Sequence, residues 1–387
     1  MRTIFDYVRE FGDTDFSVKP LNEVDNVIFS RLSYLDFAAF KGKTLRETAE
    51  SFPYTPNEKM NLRNKIMVRT EDLLYLLGET ERFGKVLISD FEEITGGSYE
   101  TAFCAVTFRL YDDVSYISYR GTDEQILSFY EDAELAYSFP VKAQLAALSY
   151  TNRIFDTQSG SFYLGGHSKG GNLALFAYIF TKYENKERII TVYNNDGPGF
   201  PKDLVGVLFT PQNSEKIINL APDGSIVGRM LEEGGAYTII RSNAVGILQH
   251  NVFTWITNGD EFEKADKFSI LSEYMEDTLT QSLDTLSRDD LRKTVESIYK
   301  IAKRGGIKTL DDINKKNSAF ILLAILEAAK SENNASNEIS GIVKTLGKSL
   351  VDSLDINKLL PELDLKTLKE LIELRKKDNT QSEDKPE

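Results

Sequence analysis

A serine held between glycines is the clearest chemical signal in this sequence. The segment Gly165-Gly166-His167-Ser168-Lys169-Gly170-Gly171 contains the pattern GxSxG, preceded by a strand-like SFYL and followed by a helix-like NLALFAYIF. A serine on a sharp turn between strand and helix is held with its hydroxyl above the sheet, and only small flanking residues let the neighbouring backbones approach closely enough. Such a hydroxyl becomes a nucleophile for acyl transfer once a base removes its proton.

Histidine is the usual base near neutral pH, and the chain has 2. His167 directly precedes Ser168, where its side chain is expected to point away across the turn and pack beside the sheet. His250, in LQHNVFTW, follows the last predicted strand and is the expected base. The third member, an acid that orients the imidazole and stabilises its charged form, belongs at the C-terminal end of a strand between the two, in the chain order Ser, acid, His. Asp223, directly after KIINLAP, is the favoured residue, and Asp196, in YNNDGPGF one strand earlier, is its rival. Donors for the developing oxyanion are expected from the backbone N–H of Lys169 and from Thr122, in Tyr119-Arg120-Gly121-Thr122-Asp123. Acyl transfer on this set requires no cofactor and no metal.

The elements that must position these residues follow from periodicity. Residues 21 to 78 carry apolar side chains at helical spacing, including Val27, Ile28, Leu32, Leu73, Leu74 and Leu77. From 101, TAFCAVTFRL and VSYISYR flank a YDD turn and predict a β-hairpin. A helical stretch at 126 to 155 leads to the SFYLGG strand. The helix after Ser168 is apolar on nearly every face and must be covered on several sides, as beside the central strand of a covered sheet. Further strands are predicted at 188 to 194, 216 to 221 and 236 to 242. Strands alternating with helices imply an α/β fold, with a mainly parallel sheet and an antiparallel hairpin at its start.

Beyond 260 only amphipathic helical patterns follow, such as Ile339, Ile342, Val343, Leu346 and Leu350. The expected organisation is an α/β domain over 1–260, a helical C-terminal region over 261–375 and a disordered tail over 376–387. The net charge of −14 repels phosphate backbones, so nucleic acid is not an expected partner. No apolar run is long enough to span a bilayer, the N-terminus lacks a signal-peptide core, and the single Cys104 sits in an apolar stretch that suits an inert buried thiol. A cytoplasmic protein is expected.

With these residues assembled, the chain resembles the lipase class 3 group, and more closely the Mbeg1-like family of bacterial proteins. The resemblance covers residues 20 to 260. It rests on DNVIFSRLSYLDF at 25 to 37, YRGTD at 119 to 123, GHSKGG at 166 to 171 and NDGPGF at 195 to 200. It implies an α/β-hydrolase fold, a triad of Ser168, Asp223 and His250, and an oxyanion hole of Thr122 and Lys169. Lys169 departs from the small apolar residue usual after the serine in those lipases, and its side chain is expected to point to solvent. The expected function is a serine hydrolase cleaving a small-molecule or lipid-like acyl ester, with motion of the helices at 124 to 155 or of the region after 260 gating the site. The alternatives are an amidase or thioesterase on the same residues, and a catalytically silent scaffold that binds a partner.

Overall fold

The computed structural model describes residues 1–54, 62–96, 101–123, 125–232, 234–270, 272–273, 276–277 and 287–304. The chain divides into two compact units, Met1–Arg292 and Lys293–Glu387. Most of the predicted helical region, and all of the predicted tail, lies outside the described residues.

The first unit is built on a seven-stranded sheet whose strands lie in chain order. These are β1 (Leu87–Gly96), β2 (Thr101–Tyr111), β3 (Val114–Tyr119), β4 (Ser161–His167), β5 (Ile189–Asn195), β6 (Ile217–Pro222) and β7 (Tyr237–Ile240). The first three pair antiparallel, and β3 through β7 pair parallel. The β2–β3 hairpin turns at Asp112, whose φ of 33° suits an Asp in a tight turn. A two-stranded ribbon, β8 (Thr257–Asn258) with β9 (Glu261–Phe262), lies outside this sheet.

Alternation of side chains along the strands supplies a core on each face. One face receives Val106, Phe108, Tyr116, Tyr163 and Tyr193 and packs with the N-terminal helices α1 (Ile4–Phe11), α2 (Glu23–Leu32), α3 (Leu45–Ser51), α4 (Leu62–Gly78) and α5 (Glu81–Gly84). Helix α2 starts on Asn22, whose side chain accepts from the N–H groups of Val24 and Asp25 at 2.9 Å. Asp25 and Arg82 form a fully buried ion pair on this side. The Arg82 guanidinium also donates to the carbonyls of Thr14 and Lys19 at 2.9 Å, tying the N-terminal segment to α5. Removing either partner would strand a buried charge, at a cost of about 3–5 kcal/mol.

The opposite face receives Phe103, Ala105, Ile117, Phe162, Leu164 and Val192, packed with α6 (Ile126–Glu134), α7 (Lys142–Thr157) and α8 (Lys169–Phe180). Every residue of α8 from Lys169 to Ile179 is buried, as the apolar run from Leu173 to Ile179 requires, and Lys169 and Asn172 are buried with it. Burying each of its large apolar side chains stabilises the fold by roughly 1.5–3 kcal/mol. The short helices α9 (Tyr183–Glu187), α10 (Lys202–Leu208) and α11 (Pro211–Ser214) join the later strands, and α12 (Arg288–Arg304) is the last described element. Only Lys293–Arg304 of the second unit is described, and it is helical. No described helix is long and apolar enough to cross a membrane.

Candidate active site

The turn from β4 into α8 carries Ser168 to the C-terminal edge of the sheet. Ser168 takes φ 59° and ψ −135°, a conformation that L residues rarely adopt. Two contacts hold it there: its N–H donates to the Asn195 carbonyl at 3.0 Å, and its own carbonyl accepts from the Gly171 N–H at 2.8 Å. The glycines are sterically required. A Cβ on Gly166 would lie 2.3 Å from the Gly170 carbonyl carbon, and one on Gly170 would lie 2.1 Å from the Tyr119 carbonyl oxygen. This is the strained corner that the GxSxG pattern predicts. With the mainly parallel sheet and its antiparallel start, it makes the fold that of an α/β-hydrolase.

Beneath the corner lies a buried amide network. The Asn195 side-chain NH2 donates to the Gly166 carbonyl at 3.1 Å and to Asn26 Oδ1 at 3.0 Å, and Asn26 Nδ2 returns a hydrogen bond to Asn195 Oδ1 at 2.8 Å. Asn26, on α2, thus braces the turn from across the sheet. Its place in the segment DNVIFSRLSYLDF was the available signal, though nothing in the sequence alone gave it this partner.

His250 reaches the site from the loop after β7. Its Nδ1 lies 2.6 Å from Asp196 Oδ2, and Asp196 is fully buried. The other Asp196 oxygen accepts from the Ser225 hydroxyl and, at 3.1 Å, from the Gly228 N–H. Asp223 is placed elsewhere. Its carboxylate pairs with Arg241 at 3.2 Å, and no hydrogen bond joins it to His250. The residue set against the imidazole is therefore Asp196, the rival, rather than the favoured Asp223. The physical reason is that Asp196 has a positive φ of 51° and turns into a pocket of donors, whereas Asp223 faces a partly exposed guanidinium.

His167 also departs from the expectation of simple packing beside the sheet. Its ring lies 4.4 Å from that of His250, with the planes inclined at 34°. Because a carbonyl can only accept, His167 Nε2 donates to the His250 carbonyl at 2.8 Å, leaving Nδ1 to accept from the Tyr34 hydroxyl at 3.4 Å. Burial, reinforced by His250 and Arg31, holds the His167 pKa well below the usual histidine range, so this ring stays neutral. The loop is further fixed by Trp255, whose buried indole donates to the Gln249 carbonyl at 2.8 Å, and by Gln249 Oε1, which accepts from the Gly224 N–H at 2.9 Å.

Gly121 sets the RGTD segment against the corner, since a Cβ there would lie 3.1 Å from Ser168 Cβ. Among the described residues no acceptor takes the N–H of Thr122. The Lys169 N–H is the first of α8, where a helix offers no internal acceptor. The Thr122 hydroxyl instead donates to Asp132 on α6. The Lys169 side chain is not in solvent. It is buried, and its ammonium contacts Glu131 at 3.0 Å and the Ala102 carbonyl at 3.3 Å. The sequence reading missed this because the partner lies on a separate helix. Burial raises the pKa of Asp132, opposed by Lys169 and by the Thr122 hydroxyl. Cys104 is buried and its thiol is pushed up to about 12, as an inert core cysteine should be. Among the described residues no cluster of His, Cys, Asp or Glu suits a metal ion.

Solved structures similar to this chain include lipases. A triacylglycerol lipase described as having a serine protease triad is 14% identical, with 56% of this chain and 78% of that one covered at a TM-score of 0.36. The Rhizomucor miehei lipase propeptide complex is 15% identical over 43% and 70%, at 0.32, and a lipase from Rhizopus microsporus var. chinensis is 14% identical over 46% and 76%, at 0.30. All three TM-scores lie below 0.5, and the reading of the site rests on this chain's own geometry. No curated protein sequence matches the chain. A sequence profile does match, over residues 77–300, which is more than half of the chain and contains the corner, both aspartates and both histidines. The chain belongs to the Mbeg1-like family.

Proposed function

We propose that this protein is a serine hydrolase that cleaves a carboxylic ester through an acyl-enzyme on Ser168, with His250 as base and Asp196 as the acid that orients it. The observation that carries the reading is the 2.6 Å contact between His250 Nδ1 and the buried Asp196 carboxylate, beside a strained serine corner. With Nδ1–H committed to Asp196, His250 Nε2 is the nitrogen left to accept the Ser168 proton. Ser168 Oγ then bonds to the ester carbonyl carbon, and the carbonyl oxygen takes the negative charge, facing the N–H groups of Thr122 and Lys169. As the carbon–oxygen bond to the alcohol breaks, His250 returns the proton to the leaving oxygen. Water, deprotonated by His250, attacks the acyl-enzyme; the bond to Ser168 Oγ breaks, His250 returns the proton to that oxygen, and the acid is released. One ester and one water give one alcohol and one acid.

The test is labelling of the purified full chain and of Ser168→Ala with a fluorophosphonate probe, alongside hydrolysis of nitrophenyl esters of increasing acyl length. Labelling and turnover that vanish in Ser168→Ala support the reading. A folded wild type with neither would overturn it and leave the binding scaffold.

A further inference from the structure

Helix α6 carries two adjacent carboxylates, and each one is engaged with a different half of the proposed oxyanion site. Asp132 accepts from the Thr122 hydroxyl, while Glu131 pairs with the Lys169 ammonium at 3.0 Å. Both members of the second pair are buried, with the Lys169 side chain 1% and that of Glu131 0% exposed. Glu131 also accepts from the Thr101 hydroxyl at 2.5 Å and the Ala102 N–H at 3.1 Å. Lys169 donates to the carbonyl of that same Ala102. Three elements therefore meet at one backbone unit of β2: the helix α6, the first residue of α8, and the strand itself.

A buried ion pair is weak evidence for stability, because desolvation consumes most of the attraction and an apolar pair of similar volume is often as stable. What charge and hydrogen bonding supply is a fixed register. Rotating α6 away from the corner would break the Glu131 contacts and the Asp132 contact with Thr122 together. We propose that Glu131 is a positioning residue: through Lys169 it clamps α6 to the serine corner, so that the Thr122 and Lys169 N–H groups are set before substrate arrives. This inference rests on the hydrolase reading above and deepens it. Helix α6 is then a fixed wall of the site rather than a moving gate.

The experiment compares wild type, Glu131→Gln and the double variant Glu131→Met with Lys169→Met, each at a temperature where circular dichroism shows it folded. Glu131→Gln should lower kcat on a soluble nitrophenyl ester about 10- to 100-fold, the scale of a misplaced donor, with KM changed less than about threefold. The double variant, which strands no charge, should regain thermal stability but not kcat. Hydrogen exchange at Gly121–Asp123 and Lys169–Gly171 should quicken in Glu131→Gln. Wild-type kcat in the double variant, or unchanged exchange in Glu131→Gln, would overturn the clamp. The exchange measurement decides the matter even if the wild type hydrolyses nothing, an outcome that would count against the hydrolase reading alone.

Discussion

Asp196 and Asp223 occupy the same topological place on neighbouring strands, and the structure uses them differently. Each is the first residue beyond its strand, and each extends the ladder through its N–H, Asp196 to Leu220 at 2.7 Å and Asp223 to Ile240 at 2.8 Å. Asp196 is fully buried with every carboxylate oxygen engaged, while Asp223 is 19% exposed and meets one partly exposed arginine. The loop that begins at Asp223 also curls back, and its Ser225 hydroxyl and Gly228 N–H serve Asp196. The favoured residue thus starts the loop that supports its rival. Chain order and strand position are equal for the two, so the donors supplied by the rest of the fold decide between them.

The sharpest way to break this comparison is to neutralise each acid in turn. Asp196→Asn should lower kcat about 10⁴-fold by leaving His250 without its orienting carboxylate, whereas Asp223→Asn should stay within about twofold, as for a partly exposed pair. Equal losses in the two, measured with the same ester, would dissolve the distinction. A smaller effect is expected when the support is cut: Ser225→Ala removes one donor to Asp196 and leaves Gly228 in place, so kcat should fall roughly tenfold.

Smaller still, and in stability rather than rate, is the signature of the second histidine. His167 is neutral in the fold, with its pKa held well below the ordinary value near 6.5. Above that value the folded and unfolded chains are both neutral there, and the full contribution to stability is present. As pH falls below it, the unfolded chain takes up the proton first, and stability is lost as pH drops towards the folded pKa. His167→Gln should therefore show a shallower fall in urea midpoint than wild type between about pH 7 and about pH 5. An identical fall in the two would exclude His167 as the source.

Much of the frame was legible because local pattern and tertiary role agree. The hairpin around Tyr111-Asp112-Asp113, the strands at β4 to β7 and α8, buried from Lys169 to Ile179, follow from β-branched alternation, turn residues and a helix apolar on nearly every face. Strand β1 was not read. Its Asp90, Glu92 and Glu93 interrupt the alternation, and the fold compensates with Lys41, Arg153 and Arg120 from distant elements. The serine corner was legible because strain leaves a glycine signature. The pairing of His250 with Asp196, and that of Lys169 with Glu131, spans 54 and 38 residues of chain, and no local pattern records which of several acids will be met.

The chain has 1 tryptophan, and it is Trp255. Its ring centroid is 6.2 Å from that of His167, and its indole N–H holds the residue just before His250. Excited selectively, this protein emits from one place, and that place is the loop carrying the proposed base. Emission wavelength and quenching would therefore report the dryness and closure of that loop directly, without any attached dye and whatever the substrate proves to be.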